Sequence, residues 1–227
     1  MKKVVLTFDD GLISHLKYVA PLLKQYGFGG SFYINGAFVE LSREQPQFMN
    51  LQQIKELHNL GFEIGNHCYN HADMTVYGPE RFFKDAIRMH NLLKSIDIQA
   101  TTLAYPGFHV DSQIAEQIPK LKYRFARAGC EKTLKFDYFQ KGNSGSVFNR
   151  LYDNPYNANC LGVFGTGYVE GWKLDLHRLG DDDNQYGIFC FHNFDTNSPV
   201  STPKVVFEKF LEYLHQHQYQ VVALGDI

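Results

Sequence analysis

The chain lacks the sequence features by which several classes of protein are recognised. Its four cysteines among 227 residues show neither C-x-x-C spacing nor dense pairing, which excludes a zinc ribbon and a disulfide scaffold. The 22 basic and 24 acidic residues are interspersed and leave a formal net charge of -2, so no basic stripe indicates a nucleic acid or a membrane surface. No apolar run reaches the length of a transmembrane helix. We therefore expect free, mostly buried thiols in a reducing compartment, and neither a nucleic-acid nor a membrane partner.

The N-terminus matches only the first part of an export signal. Met1-Lys2-Lys3 resembles the positively charged start of a signal peptide. The apolar stretch that follows is interrupted by Asp9 and Asp10, and it is shorter than the roughly 7–15 apolar residues of such a signal. We expect a cytoplasmic protein, with a trimmed exported form as the alternative.

Strand and helix patterns alternate along the chain. Short β-branched or aromatic runs predict strands, and apolar residues at helical spacing predict helices between them. The predicted strands are residues 4–8, 30–34, 62–65, 101–105, 122–128, 188–192 and 219–224, and the predicted helices are residues 14–26, 50–60, 79–93, 111–117 and 205–216. Residues 138–168 are rich in glycine, asparagine and aromatic residues and predict short strands and long loops. This order, without linker or repeat, predicts one α/β domain over residues 1–227 with a parallel sheet, most economically a closed barrel.

Two adjacent carboxylates end the first predicted strand. Asp9 and Asp10 follow the apolar residues 4–8, and Gly11 then lets the backbone turn. Neighbouring carboxylates repel each other unless a cation lies close to them. A solvated turn is the alternative, because aspartate and glycine are common turn residues.

Polar residues also lie at the ends of three later strands. Residues 66–71 follow the third strand, residues 105–107 end the fourth, and residues 191–193 end a late one. The C-terminal ends of parallel strands meet at one rim, where active sites of such folds are built. The spacing His67-x-x-x-His71 places two imidazoles on one face if this segment makes a helical turn. Two histidines and one carboxylate suit Zn²⁺ or a similar ion and leave one position open for water.

Four of these segments together resemble a known family. Residues 7–11, Thr-Phe-Asp-Asp-Gly, and residues 67–71 are similar to the first motif and to the H-[ST]-x-x-H signature of the polysaccharide deacetylase family (NodB homology, carbohydrate esterase family 4-like). Residues 26–34 resemble its second strand, and Phe191-His192 resembles its closing Leu-His. The match thins after Gly107. The resemblance implies a distorted (β/α)7-type barrel formed by a single domain.

The resemblance also implies removal of acetyl groups by metal-activated water. Asp10, His67 and His71 would hold one divalent ion, with zinc first and cobalt, nickel or manganese as alternatives. Asp9 would act as the general base, and His192 would protonate the departing amine or alkoxide. The alternative for His192 is a core histidine that is hydrogen-bonded to backbone.

Further residues would complete the site. The backbone N–H of Tyr105 would bind the oxyanion, and Pro106 and His109 would border the substrate pocket. The aromatic residues that could stack on sugar rings are Phe148, Tyr152, Tyr156 and Trp172. Aromatic residues make up 15% of the chain, so core packing is the alternative for each of them.

Three positions depart from the family's pattern. Cys68 replaces the Ser or Thr between the two histidines, so a weak thiol donor stands in place of a hydroxyl. Ala104 stands where the third motif has the arginine that pairs with the catalytic aspartate. The fourth motif, an aspartate followed closely by tryptophan, has no convincing counterpart, since Trp172 precedes Asp175.

A cation from the neighbouring strand could replace the missing arginine. In the predicted strand over residues 122–128, Arg124 and Arg127 point to opposite faces, because side chains alternate along a strand. Arg127 lies nearer the C-terminal end, where Asp9 should be. We therefore predict a bidentate contact from Arg127 to Asp9, with an outward-facing arginine as the alternative.

Two other functions remain open. An enzyme of the same fold could act on a small amide, and the missing export signal favours this reading. A non-catalytic carbohydrate-binding relative is the second, which the missing motif-three arginine favours and the retained ligand residues oppose. The substrate would accordingly be an acetylated carbohydrate or a small amide, and the sequence leaves the oligomeric state open.

Overall fold

Seven parallel strands close into a barrel in the part of the chain that the computed structural model describes, which is residues 2–130, 148–164, 169–179 and 182–227. In chain order the strands are β1 (Lys3–Phe8), β2 (Ser31–Ile34), β3 (Glu63–Asn66), β4 (Thr102–Ala104), β5 (Phe125–Gly129), β6 (Phe148–Arg150), β7 (Ala158–Gly162), β8 (Gln185–Phe191) and β9 (Gln220–Val222). Pairing between β8 and β1 closes the ring β1-β2-β3-β4-β5-β7-β8. The single-domain barrel implied by the family resemblance is therefore confirmed.

Strand β1 organises the barrel because it pairs with three other strands. Over its whole length it pairs in parallel with β8, from Lys3 opposite Tyr186 to Phe8 opposite Phe191. Strand β2 reaches only its last two residues, and β9 pairs with its first three. The barrel is thus distorted, since β9 covers the half of β1 that β2 leaves unpaired. Strand β6 adds an antiparallel pair to the start of β8.

Helices follow most of the barrel strands. A π-helical turn, His15–Val19, continues into α1 (Ala20–Tyr26), and the other helices are α2 (Gly36–Leu41), α3 (Leu51–Asn59), α4 (Met74–Lys94), α5 (Ser112–Ala115), α6 (Val169–Arg178) and α7 (Lys204–Gln216). Ser14, the first residue of the predicted helix, is already helical, and its side chain does not cap the helix. Gly27 ends α1 in the left-handed conformation, so the helix stops after residue 26 as predicted. Among the described residues, no helix combines the length and the hydropathy that crossing a membrane requires.

Some elements differ from the sequence prediction. Helix α2 was not predicted, because its six residues are too few for a helical period to be recognised. The chain is already helical before Pro79, but Gly78 interrupts α4 with φ 77°, and the long part of the helix starts at the proline as predicted. Strands β6 and β7 lie within the loop-rich residues 138–168, and part of that prediction falls outside the described residues.

Aromatic stacking joins the barrel to α7. The Phe8 ring stacks on Phe32 and on Phe191, with centroids 4.8 and 5.6 Å apart. Phe207 of α7 meets Phe191 edge to face at 5.0 Å. These rings are fully buried, so the strand that ends in the two carboxylates is held rigidly from its outer side.

Helix α3 begins with a reciprocal capping box that provides a stability test. The Asn50 side chain accepts a hydrogen bond from the Gln53 N–H at 3.0 Å, and the Gln53 side chain accepts one from the Asn50 N–H at 2.9 Å. Loss of such a cap costs about 0.5–2 kcal/mol. We expect Asn50→Ala to lower the free energy of unfolding by that amount in urea titrations. Gln52→Ala, an exposed position in the same turn, is the control, and equal stability of the two variants would contradict the prediction.

Candidate active site

The predicted polar residues meet at the C-terminal rim of the barrel. Asp9 and Asp10 follow β1, His67 follows β3, and His192 follows β8. Arg127 lies within β5, which is separated from β1 by β8 and β7 in the ring. Closure of the barrel therefore brings residues more than 100 positions apart into one cluster, of which Asp9 and Arg127 are an example.

The segment that carries the two histidines is a strained loop and not the helical turn considered from the spacing. Cys68 and His71 adopt left-handed backbone conformations with φ 60° and 55°, and Asp10 does so with φ 76°. Such conformations cost about 1–3 kcal/mol each and persist only where the surroundings hold them. The imidazole rings of His67 and His71 nevertheless lie together, with centroids 4.8 Å apart.

Hydrogen bonds from three elements hold this loop. The Asn66 side chain accepts from the Cys68 N–H at 2.8 Å. The buried carboxylate of Asp85 on α4 accepts from the N–H of Asn70 at 2.8 Å and from its side-chain amide at 2.5 Å. At the start of α2, the Ala37 N–H donates to the Tyr69 carbonyl at 2.7 Å. The loop between the histidines is thus supported by backbone bonds and a carboxylate, without the hydroxyl that Cys68 replaces.

Asp10, His67 and His71 offer three donor atoms to one point. The Nε2 atoms of His67 and His71 both lie 3.7 Å from Asp10 Oδ1, and the three donors lie within 4.8 Å of one another. Bonds of about 2.0–2.2 Å to a tetrahedral ion place its ligand atoms about 3.3–3.6 Å apart. His67 Nδ1 donates to the Ala104 carbonyl at 2.8 Å, which leaves the lone pair on Nε2, an atom that lies 3.7 Å from an oxygen of Asp9 and of Asp10. This donor set fits a divalent ion.

The electrostatics of these residues also fit a cation. Burial, and then the charge of Asp9, raise the pKa of Asp10 to about 7. The Oδ1 atom of Asp10 is buried and has no hydrogen-bond partner among the described residues. Burial lowers the pKa of His67 to about 3 and also lowers that of His71, so both imidazoles are neutral and can donate a lone pair. A divalent ion between the three groups would compensate the buried carboxylate.

Arg127 contacts Asp9 across the barrel from β5, the strand beside β4. Its NH2 atom lies 2.5 Å from Asp9 Oδ2, and both side chains are almost completely buried. In the register of β4 and β5, Ala104 is directly opposite Arg127, so the guanidinium comes from the position beside the missing arginine. The contact is not bidentate as predicted, because NH1 lies 3.3 Å from Cys160 Sγ instead. The alternative of an outward-facing Arg127 is wrong, and it is Arg124 that is exposed, with its guanidinium donating to the Gly225 carbonyl.

This ion pair determines the charge of Asp9. Burial by itself raises the pKa of Asp9, but the Arg127 guanidinium outweighs it, helped by His67 and His192, and holds the pKa well below its usual range. The guanidinium also lies over the rings of Tyr33 and Phe108, 5.4 and 4.9 Å from their centroids. Asp9 is therefore a buried, ionised carboxylate in a fixed orientation.

His192 lies near the same carboxylate oxygen of Asp9 that Arg127 contacts. Its Nε2 atom is 3.7 Å from Asp9 Oδ2, and burial lowers its pKa to about 4. The Nε2 atom of His15 is 2.9 Å from the His192 carbonyl, so an imidazole from the π-helical turn supports this backbone. The sequence prediction missed His15, and its only signal was its place shortly after Gly11.

The predicted oxyanion donor is wrong. The N–H of Tyr105 donates to the Arg127 carbonyl at 3.0 Å as part of the sheet. This group is therefore occupied, because a backbone N–H in a sheet ladder already has its acceptor. Pro106 has no N–H, so the first backbone donor beyond β4 on this rim belongs to Gly107.

The predicted substrate contacts have mixed outcomes. His109 Nδ1 lies 3.3 Å from Asp73 Oδ2, and Asp73 caps the helix that follows the histidine loop, so His109 borders the rim. Pro106 is buried, and its contact with substrate stays a prediction. Trp172 as a stacking residue is wrong, because its side chain is fully buried in α6 against Phe210 and Tyr213.

The other members of that predicted stacking group do not join the rim cluster. Tyr152 is 71% exposed, whereas Phe148 and Tyr156 pack partly against the core. The structure shows a different aromatic pair beside the site: Phe38 and Phe48 stack with centroids 4.4 Å apart, and Phe38 lies 6.4 Å from His71. This pair was missed because the two residues belong to a short helix and to the loop after it.

A parallel barrel that carries an aspartate, two histidines and a second carboxylate paired to an arginine at its C-terminal rim has the arrangement of an enzyme of the barrel class, in which active sites lie at that rim. The matching family model, described as polysaccharide deacetylase, covers residues 1–126 of the 227-residue chain, and the chain belongs to that family.

Individual relatives match over shorter or more divergent regions. The chain is 36% identical over 75 residues to the peptidoglycan-N-acetylmuramic acid deacetylase PdaA of Bacillus subtilis, a match that covers 33% of this chain and 26% of that protein. It is 23% identical over 124 residues to the putative polysaccharide deacetylase YxkH of the same species, covering 54% and 43%. The chain thus spans less than half the length of these curated relatives.

Solved structures show the same fold. The structure of Bacillus subtilis PdaA, a family 4 carbohydrate esterase, superposes with a TM-score of 0.62 at 19% identity, covering 99% of this chain and 80% of that one. A family 4 pseudoenzyme from Bacillus anthracis superposes with a TM-score of 0.63 at 13% identity, covering 99% and 64%. At these identities the likeness concerns the fold alone.

The ligand set predicts a specific effect of removing one histidine. We expect His71→Ala to lose the bound divalent ion while the circular dichroism spectrum stays unchanged, because His71 is half-exposed and lies outside the core. Metal content of the purified protein measures this directly. His58→Ala, which removes an exposed histidine of α3, should keep the full metal content. Full metal occupancy in His71→Ala would show that the ligand assignment is wrong.

The buried ion pair predicts a large loss of stability when its cation is removed. Arg127→Met leaves the Asp9 carboxylate buried and unpaired, which costs about 3–5 kcal/mol. We expect that decrease in the free energy of unfolding, and a much smaller one for Arg124→Met, which changes an exposed arginine just before the same strand. The double variant Ala104→Arg, Arg127→Ala places the guanidinium on β4 in place of β5. We expect part of the lost free energy of unfolding to be restored in it. An Arg127→Met protein as stable as Arg124→Met would refute the assignment.

Proposed function

We propose that this protein is a metal-dependent deacetylase that removes acetyl groups from an N- or O-acetylated carbohydrate. The observation that carries the proposal is the placement of two different carboxylates at one rim. Asp10 has two neutral imidazoles 3.7 Å away, whereas its neighbour Asp9 is paired with Arg127. One carboxylate is thus suited to hold a cation, and the other is left to act as a base.

The ion would be held by Asp10, His67 and His71. When bound, it supplies a Lewis acid and lowers the pKa of a coordinated water to roughly 7. Two nitrogen donors and one oxygen donor suit zinc first, with cobalt, nickel or manganese as alternatives. The hydrogen bond from His67 Nδ1 to the Ala104 carbonyl keeps that ligand in the tautomer and orientation the site needs.

Asp9 would take the proton of the attacking water. Its Oδ2 atom is held by Arg127, and its Oδ1 atom is buried and has no hydrogen-bond partner among the described residues, so a lone pair remains for the proton. The ion pair keeps Asp9 ionised and prevents it from turning towards the cation. In this role Arg127 is a positioning residue, since it acts through Asp9.

His192 would pass a proton to the leaving group. Burial keeps its imidazole neutral, so it must first receive a proton. Asp9 Oδ2 lies 3.7 Å from His192 Nε2, close enough for transfer after a small closing movement. The hydrogen bond between His15 and the His192 carbonyl holds this backbone in place.

The carbohydrate part of the proposal is supported by the rim. The stacked pair Phe38 and Phe48 lies next to His71, and partly exposed aromatic rings are suited to the apolar faces of sugars. The developing oxyanion would be met by the bound cation and by the N–H of Gly107, in place of Tyr105. The non-catalytic alternative is weakened by Arg127, because it supplies the cation that Ala104 lacks.

An acetate-release assay on the metal-loaded protein tests the proposal. We expect release from acetylated oligosaccharides, abolished by a chelator and restored by one equivalent of zinc. A panel that includes acetylated monosaccharides and small amides separates the polymer substrate from the small-amide alternative. No acetate or ammonia release from any member, at full metal occupancy, would favour a non-catalytic relative. The cytoplasmic location stays a prediction, which cell fractionation would test.

If Asp9 is the general base, replacing its carboxylate should lower turnover without removing the metal. Asp9→Asn should keep the metal and lower kcat by about 10²–10⁴-fold, because an amide cannot accept the proton. Asp97→Asn, an exposed aspartate far along the chain, is the matched control and should leave both quantities unchanged. Loss of metal in Asp9→Asn would instead identify Asp9 as a ligand.

A further inference from the structure

We propose that Asp9, Cys190 and His192 form a second metal site, selective for thiophilic cations, whose occupation inhibits the enzyme. The ligand set is independent of the proposed function, whereas the inhibition rests on it. The donor atoms of these three buried residues lie within 4.8 Å of one another.

The strand geometry explains why this cluster forms. Cys190 and His192 are two positions apart at the end of β8, so their side chains point to the same face, which is the inside of the barrel. Strand β1 pairs with β8 in a register that sets Phe8 opposite Phe191, and the Asp9 N–H donates to the Phe191 carbonyl at 3.0 Å. The Asp9 carboxylate therefore enters the space beside both residues.

Two of the three ligands have an unused polar atom. Asp9 Oδ1 and His192 Nδ1 are buried, and neither has a hydrogen-bond partner among the described residues. The Cys190 thiol is hydrogen-bonded to the Cys160 thiol and makes a long contact of 3.8 Å to the Phe191 carbonyl, both of which are weak interactions that a metal–thiolate bond could replace. A buried polar group without a partner costs free energy, so these atoms would gain from a cation.

The neighbouring guanidinium sets the charge balance. Arg127 neutralises Asp9 through Oδ2 and directs its NH1 atom to Cys160, which leaves Asp9 Oδ1 without a hydrogen-bond partner among the described residues. An entering dication must therefore gain a further negative charge. Cys190 supplies it by losing its thiol proton to solvent, which forms a metal–thiolate bond.

The thiolate distinguishes this site from the first one. Asp10, His67 and His71 offer only nitrogen and oxygen, so they accept zinc, cobalt or manganese. A site with a cysteine favours Cd²⁺, Zn²⁺ and Co²⁺ over Mn²⁺ and Mg²⁺. Occupation would bind the base and the proton donor of the proposed reaction at once, so excess zinc or cadmium should inhibit and excess manganese should not.

Titration of the metal-free protein with Co²⁺ tests the ligand set. We expect a first equivalent without sulfur-to-cobalt charge-transfer absorption in the near ultraviolet, and a second equivalent that produces this absorption. Equilibrium dialysis with Cd²⁺ or Zn²⁺ should give two bound ions per chain. Cys190→Ser, and Cys190→Ala as a second variant, should bind one ion and lack the thiolate absorption.

Two further variants serve as controls. Cys130→Ser removes another buried thiol outside the cluster and should behave like the unmodified protein. His71→Ala disables the first site and should keep one ion with thiolate absorption. A wild-type protein that binds a single ion without this absorption, or an absorption that persists in both Cys190 variants, would overturn the proposal.

The activity readout separates this inference from the proposed function. Acetate release should fall towards background as Zn²⁺ or Cd²⁺ exceeds one equivalent. Each Cys190 variant, compared with its own rate at one equivalent, should resist this inhibition. If the thiolate absorption appears but no acetate release is found with any substrate, the second site stands and the proposed function fails. If excess zinc leaves wild-type release unchanged while the second ion is bound, the inhibitory role is wrong.

Discussion

The buried ion pair between Asp9 and Arg127 is the constraint on which the rest of the site depends. Two carboxylates follow one strand into the mouth of a closed barrel, where burial raises the cost of each charge. The Arg127 guanidinium lies 2.5 Å from the Asp9 carboxylate and neutralises its charge. Asp10 is left with two neutral imidazoles, whose lone pairs attract a cation but cannot replace one. Because of this one contact, the two adjacent carboxylates differ: Asp9 is paired with a cation of the protein, and Asp10 is not.

A barrel can supply the cation for Asp9 from more than one strand. Ala104 and Arg127 are register partners on neighbouring parallel strands, so their side chains start from adjacent points on the inner surface. The long Arg127 side chain reaches Asp9 from its own strand, and the rings of Tyr33 and Phe108 lie beside its guanidinium. The ion pair depends on the position that the guanidinium reaches and not on the strand that carries it.

The strained histidine loop shows what keeps the rim rigid. Left-handed residues at Cys68 and His71 would relax in a free loop. Asn66 and Asp85 hold the loop through backbone hydrogen bonds, and the start of α2 closes it from the other side. The donors of the proposed metal site are therefore held in place by the fold, which would lower the reorganisation that ion binding requires.

Local residue patterns determined the strands, the helix ends, the two-carboxylate motif and the inward direction of Arg127. Apolar runs, capping residues and the alternation of side chains act within a few residues of one another, so a sequence displays them directly. Only the tertiary structure decided that the Tyr105 N–H is taken by the sheet and that Trp172 is buried under α7. It alone placed Cys190 beside Asp9, since that contact exists only after β8 closes on β1. The physical reason is that hydrogen-bond partners and burial depend on which strands become neighbours, and barrel closure sets this between residues far apart in the chain.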